Sequence, residues 1–116
     1  MARSTVDDQV RGAMKRVSDK AEVAIDFPEK FYMGSFSNSS RFDVKAEGGG
    51  IGLKVVKESE PKRTFEMHLH HNLLTDILRE WAAAVRGGAE IGGRDRSDLV
   101  AALRDVALAL EEGGTA

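Results

Sequence analysis

The spacing of apolar residues divides the chain into three regions. Near the start they lie three or four positions apart, a spacing that predicts a helix over residues 5–18. Residues 22–71 instead alternate between apolar and polar side chains, most regularly over residues 41–46. Short turn clusters interrupt this alternation, and short connections favour antiparallel pairing of successive strands. The middle region therefore predicts a five-strand antiparallel meander.

The third region returns to helical spacing. It predicts a helix over residues 72–86 that packs its apolar stripe on one face of the sheet. A glycine-rich linker, residues 87–94, separates this helix from a last one over residues 96–112. The sequence thus predicts an α+β fold in a single domain over residues 1–116, with one helix packed on the meander sheet and a flanking helix at each end.

The composition excludes several classes of chemistry. The chain has 116 residues and no cysteine, which excludes disulfides, thiolate metal sites and cysteine nucleophiles. Its 17 basic and 19 acidic residues give a net charge of −2, whereas duplex DNA binders carry a clear basic excess. No apolar run is long enough to span a membrane, and the first residues lack the apolar stretch of a signal peptide. We expect a cytoplasmic protein that does not bind membranes.

The short motifs that resemble catalytic or cofactor sites are better interpreted as turns. Ser35, Ser37, Ser39 and Ser40 cluster, but serine is common in turns and no nucleophile elbow surrounds them. The glycine-rich residues 48–52 do not open a helix and lack the lysine of a phosphate-binding loop, so they predict a hairpin turn. We therefore expect a protein that is not an enzyme and that holds no cofactor.

One cluster of potential metal ligands lies in the last predicted strand. Glu66, His68 and His70 are two positions apart, so they project from the same face of that strand. Imidazoles and carboxylates are ligands that zinc and other divalent ions accept. A divalent-metal or small-ligand site at these three residues is one alternative for the function. The other interpretation is a row of solvent-facing side chains.

A further alternative is the binding of single-stranded nucleic acid through the exposed sheet face. Proteins of this kind combine aromatic platforms with basic side chains along a groove. The residues that fit this pattern are Lys30, Tyr32, Phe36, Arg41, Lys45 and Lys54. The segments Lys30-Phe31-Tyr32 and Arg41-Phe42 resemble strand residues of Pur repeats, and this resemblance implies single-strand binding. Acidic residues such as Asp43 and Glu47 weaken any field that would attract phosphates.

The leading hypothesis rests on the last predicted helix. It carries an apolar stripe formed by Leu99, Leu103, Val106 and Leu110. The stripe either docks on its own domain or remains exposed, and an exposed stripe usually binds a partner. Because symmetric dimers are the commonest soluble oligomers, we predict a homodimer or an adaptor to another protein. The sequence thus favours a non-enzymatic protein-interaction or assembly module.

Overall fold

The computed structural model describes residues 14–113 of the chain, and these residues form six strands and two helices. The strands are β1 (Lys15–Arg16), β2 (Ala21–Phe27), β3 (Lys30–Phe36), β4 (Ser40–Glu47), β5 (Gly50–Lys57) and β6 (Arg63–His70), and the helices are α1 (His71–Arg86) and α2 (Gly93–Gly113). The strand pairs are antiparallel. The predicted α+β class with antiparallel strands is therefore confirmed.

The strands belong to the first of two compact units, which spans Met1–Asp76, and they form two separate sheets. One sheet has four strands in the order β1, β4, β5, β6. The other is a hairpin of β2 and β3, joined by the two-residue turn Pro28-Glu29. The prediction of one five-strand meander therefore differs from the structure, in which the meander is limited to β4, β5 and β6.

The segment before β2 explains why β3 and β4 do not pair. Lys15 and Arg16 pair with the start of β4, and the Val17 amide donates to the Ser40 carbonyl oxygen at 3.0 Å. This segment occupies the strand edge that β3 would need. The predicted helix over residues 5–18 is therefore wrong at Lys15 and Arg16, and its earlier part lies outside the described residues.

The four-stranded sheet has one apolar and one polar face. The register aligns Val44, Leu53 and Met67 across β4, β5 and β6 on one side. The next positions, Asp43, Lys54 and Glu66, align on the other side. Because side chains alternate along each strand, most positions of each face keep this character; the exceptions are Val56 on the polar face and Ser40, Lys57 and Arg63 at one end of the apolar face.

The buried core of the described residues is small. Its hydrophobic members are Met14, Phe36 at the end of β3, and Val55 in β5. Ser40 is also buried, and its hydroxyl has no hydrogen-bond partner among the described residues. Most other apolar side chains of the strands therefore keep some contact with solvent.

The glycine-rich residues between β4 and β5 form the predicted hairpin turn. Glu47 pairs with Gly50, so Gly48 and Gly49 make a two-residue turn. A Cβ atom on Gly50 would overlap the carbonyl group of Leu69 in β6, whereas one on Gly48 would meet open space. Gly50 is therefore required by the close approach of two strands.

Glycine residues follow the end of α1 and form the start of α2. After Arg86, Gly88 adopts a left-handed backbone with φ of 110°, and the Gly87 amide donates to the Ala83 carbonyl oxygen at 2.9 Å. α2 begins at Gly93, three residues before the predicted start.

Neither helix of the described chain contains a buried residue, and neither is long and apolar enough to cross a membrane. That α1 packs on the sheet, and that the chain makes a single domain, stay predictions.

Candidate interaction surfaces

The first candidate surface is the α2 stripe, which consists of Leu99, Leu103, Val106 and Leu110. Their spacing of four, three and four residues keeps them on one side of the helix. Exposure rises along the stripe: Leu99 is half-buried, Leu103 is 40% exposed and Leu110 is 71% exposed. An apolar row with this much solvent contact is typical of a surface that binds a partner.

The first half of the α2 stripe lines an apolar groove of the second compact unit, which spans Ile77–Ala116. The groove has a volume of about 380 Å³. Its apolar lining includes Leu78, Trp81, Val85, Leu99, Val100 and Leu103. Val106 and Leu110 lie beyond this groove, so α1 lies beside only the first half of the stripe; that half stays partly exposed, and the second half is more exposed still.

The charges at the two ends of α2 run against the helix dipole. Arg94 and Arg96 lie in the first turn with a single acidic residue, Asp95. Glu111 lies in the last turn, which contains no basic residue. Cations at a helix N-terminus and anions at its C-terminus are unfavourable for that helix alone.

The second candidate surface is the polar face of the four-stranded sheet. The Glu47 Oε1 and His68 Nδ1 atoms lie 2.9 Å apart, and the Lys54 Nζ and Glu66 Oε1 atoms lie 3.8 Å apart. The rings of His68 and His70 meet edge to face, with 4.9 Å between their centroids. Charges of both signs therefore alternate across this face, and the resulting field has no single sign.

The structure places the predicted metal ligands on one face without converging them. Glu66, His68 and His70 all project from the polar side of β6. Glu66 lies beside Lys54 and His68 beside Glu47, and positions two apart on a strand are separated by about 7 Å. Among residues 14–113, no group of three or more histidine or acidic side chains is arranged to hold a metal ion. The hypothesis of a metal site therefore finds no support in this geometry.

The aromatic part of the predicted nucleic-acid site lies on the hairpin of β2 and β3. The Lys30 Nζ atom lies 5.5 Å from the centre of the Tyr32 ring, which also meets the Phe27 ring edge to face at 6.1 Å. Phe36 belongs to the same face of the hairpin, but it is only 3% exposed. Tyr32 is thus available for stacking on a base, and Phe36 is not.

The basic part of that predicted site lies on the other sheet. Arg41, Lys45 and Lys54 share the polar face of the four-stranded sheet. Asp43 lies between the two basic residues of β4, and Glu66 lies beside Lys54. Apart from Lys30, which lies beside Tyr32 on the hairpin, the predicted basic residues therefore do not share a strand surface with the predicted aromatic residues.

Sequence reasoning missed several exposed apolar side chains of the hairpin. Phe27, Phe31 and Met33 are each more than half exposed. Phe31 and Met33 lie on the face of the hairpin opposite Tyr32, so both faces carry apolar side chains. One feature of the sequence does indicate this exposure: Phe27 and Phe31 lie on either side of a tight turn, and side chains at the end of a hairpin have few neighbours to cover them.

Comparisons with protein families, with curated proteins and with solved structures found no match for this chain. The chemistry of the surfaces themselves is therefore the basis for inferring a function. Among these surfaces, the α2 stripe is a row of aliphatic side chains in contact with water. Its free energy falls when a complementary apolar row covers it.

Proposed function

We propose that this protein is a non-enzymatic assembly module that forms a homodimer through α2. The observation that carries the proposal is the exposure of the α2 stripe, in a helix of 21 residues with no buried side chain. Isolated helices are marginally stable in water, and most of their stability in proteins comes from packing of an apolar face. A partner for the stripe supplies that packing.

The spacing of the stripe favours a second copy of the chain as this partner. Intervals of four, three and four residues read the same in both directions. An antiparallel second copy therefore sets Leu99 against Leu110 of that copy and Leu103 against its Val106. Such a heptad-like arrangement is the seam of a two-helix coiled coil. The contact is isologous, as a two-fold symmetric dimer requires.

The charges at the ends of α2 support the same orientation. In an antiparallel pair, the first turn of one copy, with Arg94 and Arg96, lies beside the last turn of the other, with Glu111; the residue level with Glu111 itself is Asp98. A parallel pair would instead place arginine beside arginine and glutamate beside glutamate. Surface ion pairs contribute little to affinity, but like-charge contacts select against the wrong orientation.

The proposed cellular setting follows from the composition. A chain without cysteine has no disulfide that a reducing compartment could break, and we place the assembly in the cytoplasm. In this proposal the functional unit is the dimer, which presents two copies of the hairpin and of the polar sheet face.

The dimer is tested by measuring the mass of the purified chain over a wide range of concentration. Sedimentation equilibrium and light scattering are expected to give a monomer at low concentration and at least a dimer at high concentration. A strict monomer at every concentration would overturn the proposal. In high salt the mass is expected to stay above that of a monomer, because apolar burial persists when charges are screened.

Single-stranded nucleic acid binding is a second candidate function, supported by the exposed rings at the hairpin. Phe31 and Tyr32 lie on opposite faces, and the Lys30 Nζ atom lies 5.5 Å from the centre of the Tyr32 ring, which is 49% exposed. Stacking on one aromatic ring contributes about 1–3 kcal/mol per base. Anisotropy titrations with labelled single strands are therefore expected to show binding that weakens with salt and falls about tenfold or more in Tyr32→Ala. Equal binding by Tyr32→Ala and the unaltered chain would refute this role of the hairpin.

A further inference from the structure

The outer edge of β6 is an open edge of the four-stranded sheet. β6 pairs with β5 on one side, and no strand of the described residues pairs with its other side. The start of β6 lies beside the hairpin, where Thr64 and Phe65 help to line a cavity of about 390 Å³ with residues of β2 and β3. Residues from Glu66 onwards lie outside that cavity lining. Open edges of this kind present unpaired backbone groups that invite another strand.

One backbone hydrogen bond fixes which groups of β6 face outwards. The His71 amide donates to the Gly49 carbonyl oxygen at 3.0 Å, so this pair is a hydrogen-bonded pair of the ladder. Because hydrogen-bonded and non-hydrogen-bonded pairs alternate, the odd-numbered residues of β6 bond to β5. The even-numbered residues, Thr64, Glu66, His68 and His70, direct their amide and carbonyl groups to the open edge.

We propose that this edge is a second self-association surface, on which β6 of another copy pairs antiparallel with Met67 at the two-fold axis. In this register Glu66 faces His68 of the other copy, and Thr64 faces its His70. Both are pairs of outward-facing residues, so they exchange backbone hydrogen bonds in the regular antiparallel pattern. The symmetric contact joins two four-stranded sheets into one continuous sheet.

Side-chain chemistry agrees with this register. Glu66 meets an imidazole of the other copy on the polar face, and a carboxylate oxygen accepts a hydrogen bond from an imidazole N–H. On the apolar face Met67 meets Met67 of the other copy, and Phe65 meets its Leu69. Polar and apolar faces therefore both continue across the junction, which is the condition that sets register in a sheet with two different faces.

The other strand edges are less suited to a second copy. β1 already covers the start of the β4 edge. On β2, a two-fold axis at Ala24 would set Glu22 against Asp26, and like charges directly opposite each other are unfavourable; an axis at Val23 or Ile25 would set an acidic residue against Ala24 and gain no polar contact. β6 contains no lysine, proline or glycine, which are residues that commonly block an open edge. The complementarity of Glu66 and His68 thus distinguishes this edge from the others.

This surface is separate from the α2 stripe, and the inference goes beyond the proposed dimer. A chain with two different isologous surfaces forms assemblies larger than a dimer, because each contact adds a copy independently. In such an assembly the polar faces of two sheets form one continuous surface.

Disulfide cross-linking tests the register directly, because the natural chain has no cysteine. In the full chain, Met67→Cys places two thiols at a non-hydrogen-bonded pair about 4.5 Å apart between Cα atoms, which is within the range of a disulfide. Mild oxidation with diamide of the dilute protein is expected to yield covalent dimers. Val44→Cys is the matched control: it lies on the same apolar face and is exposed, but on β4, so it is expected to remain monomeric on a non-reducing gel.

A mixture of two further variants checks the same register without altering an apolar residue. Glu66→Cys and His68→Cys chains, mixed before oxidation, are expected to form heterodimers in preference to either homodimer. Cross-linking of Met67→Cys no faster than that of Val44→Cys, or homodimers in the mixture as abundant as heterodimers, would overturn the proposal. Adding Leu110→Asp to the Met67→Cys chain separates the two surfaces. The β6 cross-link is expected to persist there even if the α2 contact is lost or never existed.

Discussion

Leu110 offers the sharpest test of the α2 contact, because it contributes little to the isolated chain and much to the proposed dimer. It is 71% exposed, so its replacement removes few contacts within one copy. The change Leu110→Asp places a carboxylate in the middle of an apolar layer, opposite Leu99 of the second copy. We therefore expect the variant to fold as the natural chain does and to dimerise much less.

The size of this effect follows from the exposed fraction of the side chain. Complete burial of a leucine stabilises by roughly 2 kcal/mol, so burying the exposed 71% of Leu110 contributes about 1.5 kcal/mol in each copy. A symmetric dimer contains the contact twice, for a total of about 3 kcal/mol. Since about 1.4 kcal/mol corresponds to a tenfold change, the dissociation constant of the α2 contact is expected to rise at least a hundredfold. The cost of burying a carboxylate adds to this value.

Leu108→Asp is the matched control for this measurement. Leu108 is 56% exposed and lies two residues before Leu110, which places it on the opposite side of the helix. Both changes introduce the same residue into the same helix, so their effects on helix propensity are alike. Sedimentation equilibrium gives the dissociation constants, and far-ultraviolet circular dichroism checks the helix content. Equal dissociation constants for the two variants would refute the reasoning.

Three further predictions concern the fold and are measured by urea denaturation of each variant. Gly50→Ala is expected to lower the free energy of unfolding by about 2 kcal/mol, because its Cβ meets the Leu69 carbonyl group, whereas Gly48→Ala changes it by less than about 0.5 kcal/mol. Phe36→Ala is expected to cost about 3–5 kcal/mol since the ring is buried, and Phe31→Ala, which removes an exposed ring, far less. Ser40→Ala is expected to leave stability unchanged or to raise it slightly, because it removes a buried hydroxyl without a partner among the described residues. An order of effects opposite to any of these would contradict the corresponding part of the structure.

The local elements could be predicted from the sequence because each has its own period or turn signal. The alternation of residues 41–46 lies within β4, and the glycines that follow form the turn into β5. Arg86 and the glycines after it mark the end of α1. These signals arise from neighbours along the chain, and they remain valid whatever the tertiary arrangement is.

Strand partners could not be predicted in the same way. Pairing of Lys15 with Phe42 depends on residues far apart in the sequence, and two residues are too short to give a period. The same limit applies to side-chain contacts. Glu66, His68 and His70 share a face as predicted, but their contacts come from other strands, Lys54 from β5 and Glu47 from β4. A row on one strand therefore predicts which face its members share, and not which partners they have.

The small core and the two proposed surfaces are connected by one physical argument. Marginal stability is normal for small domains, since they bury a smaller share of their surface than large ones do. The described residues contain three buried hydrophobic side chains, and the apolar residues of α2 keep much of their contact with water. Association buries apolar surface that the single copy leaves exposed, and binding of a folded partner stabilises the folded state by mass action. The same leucines that make a separate copy of α2 marginal would therefore stabilise the proposed dimer, in which stability and assembly depend on one row of side chains.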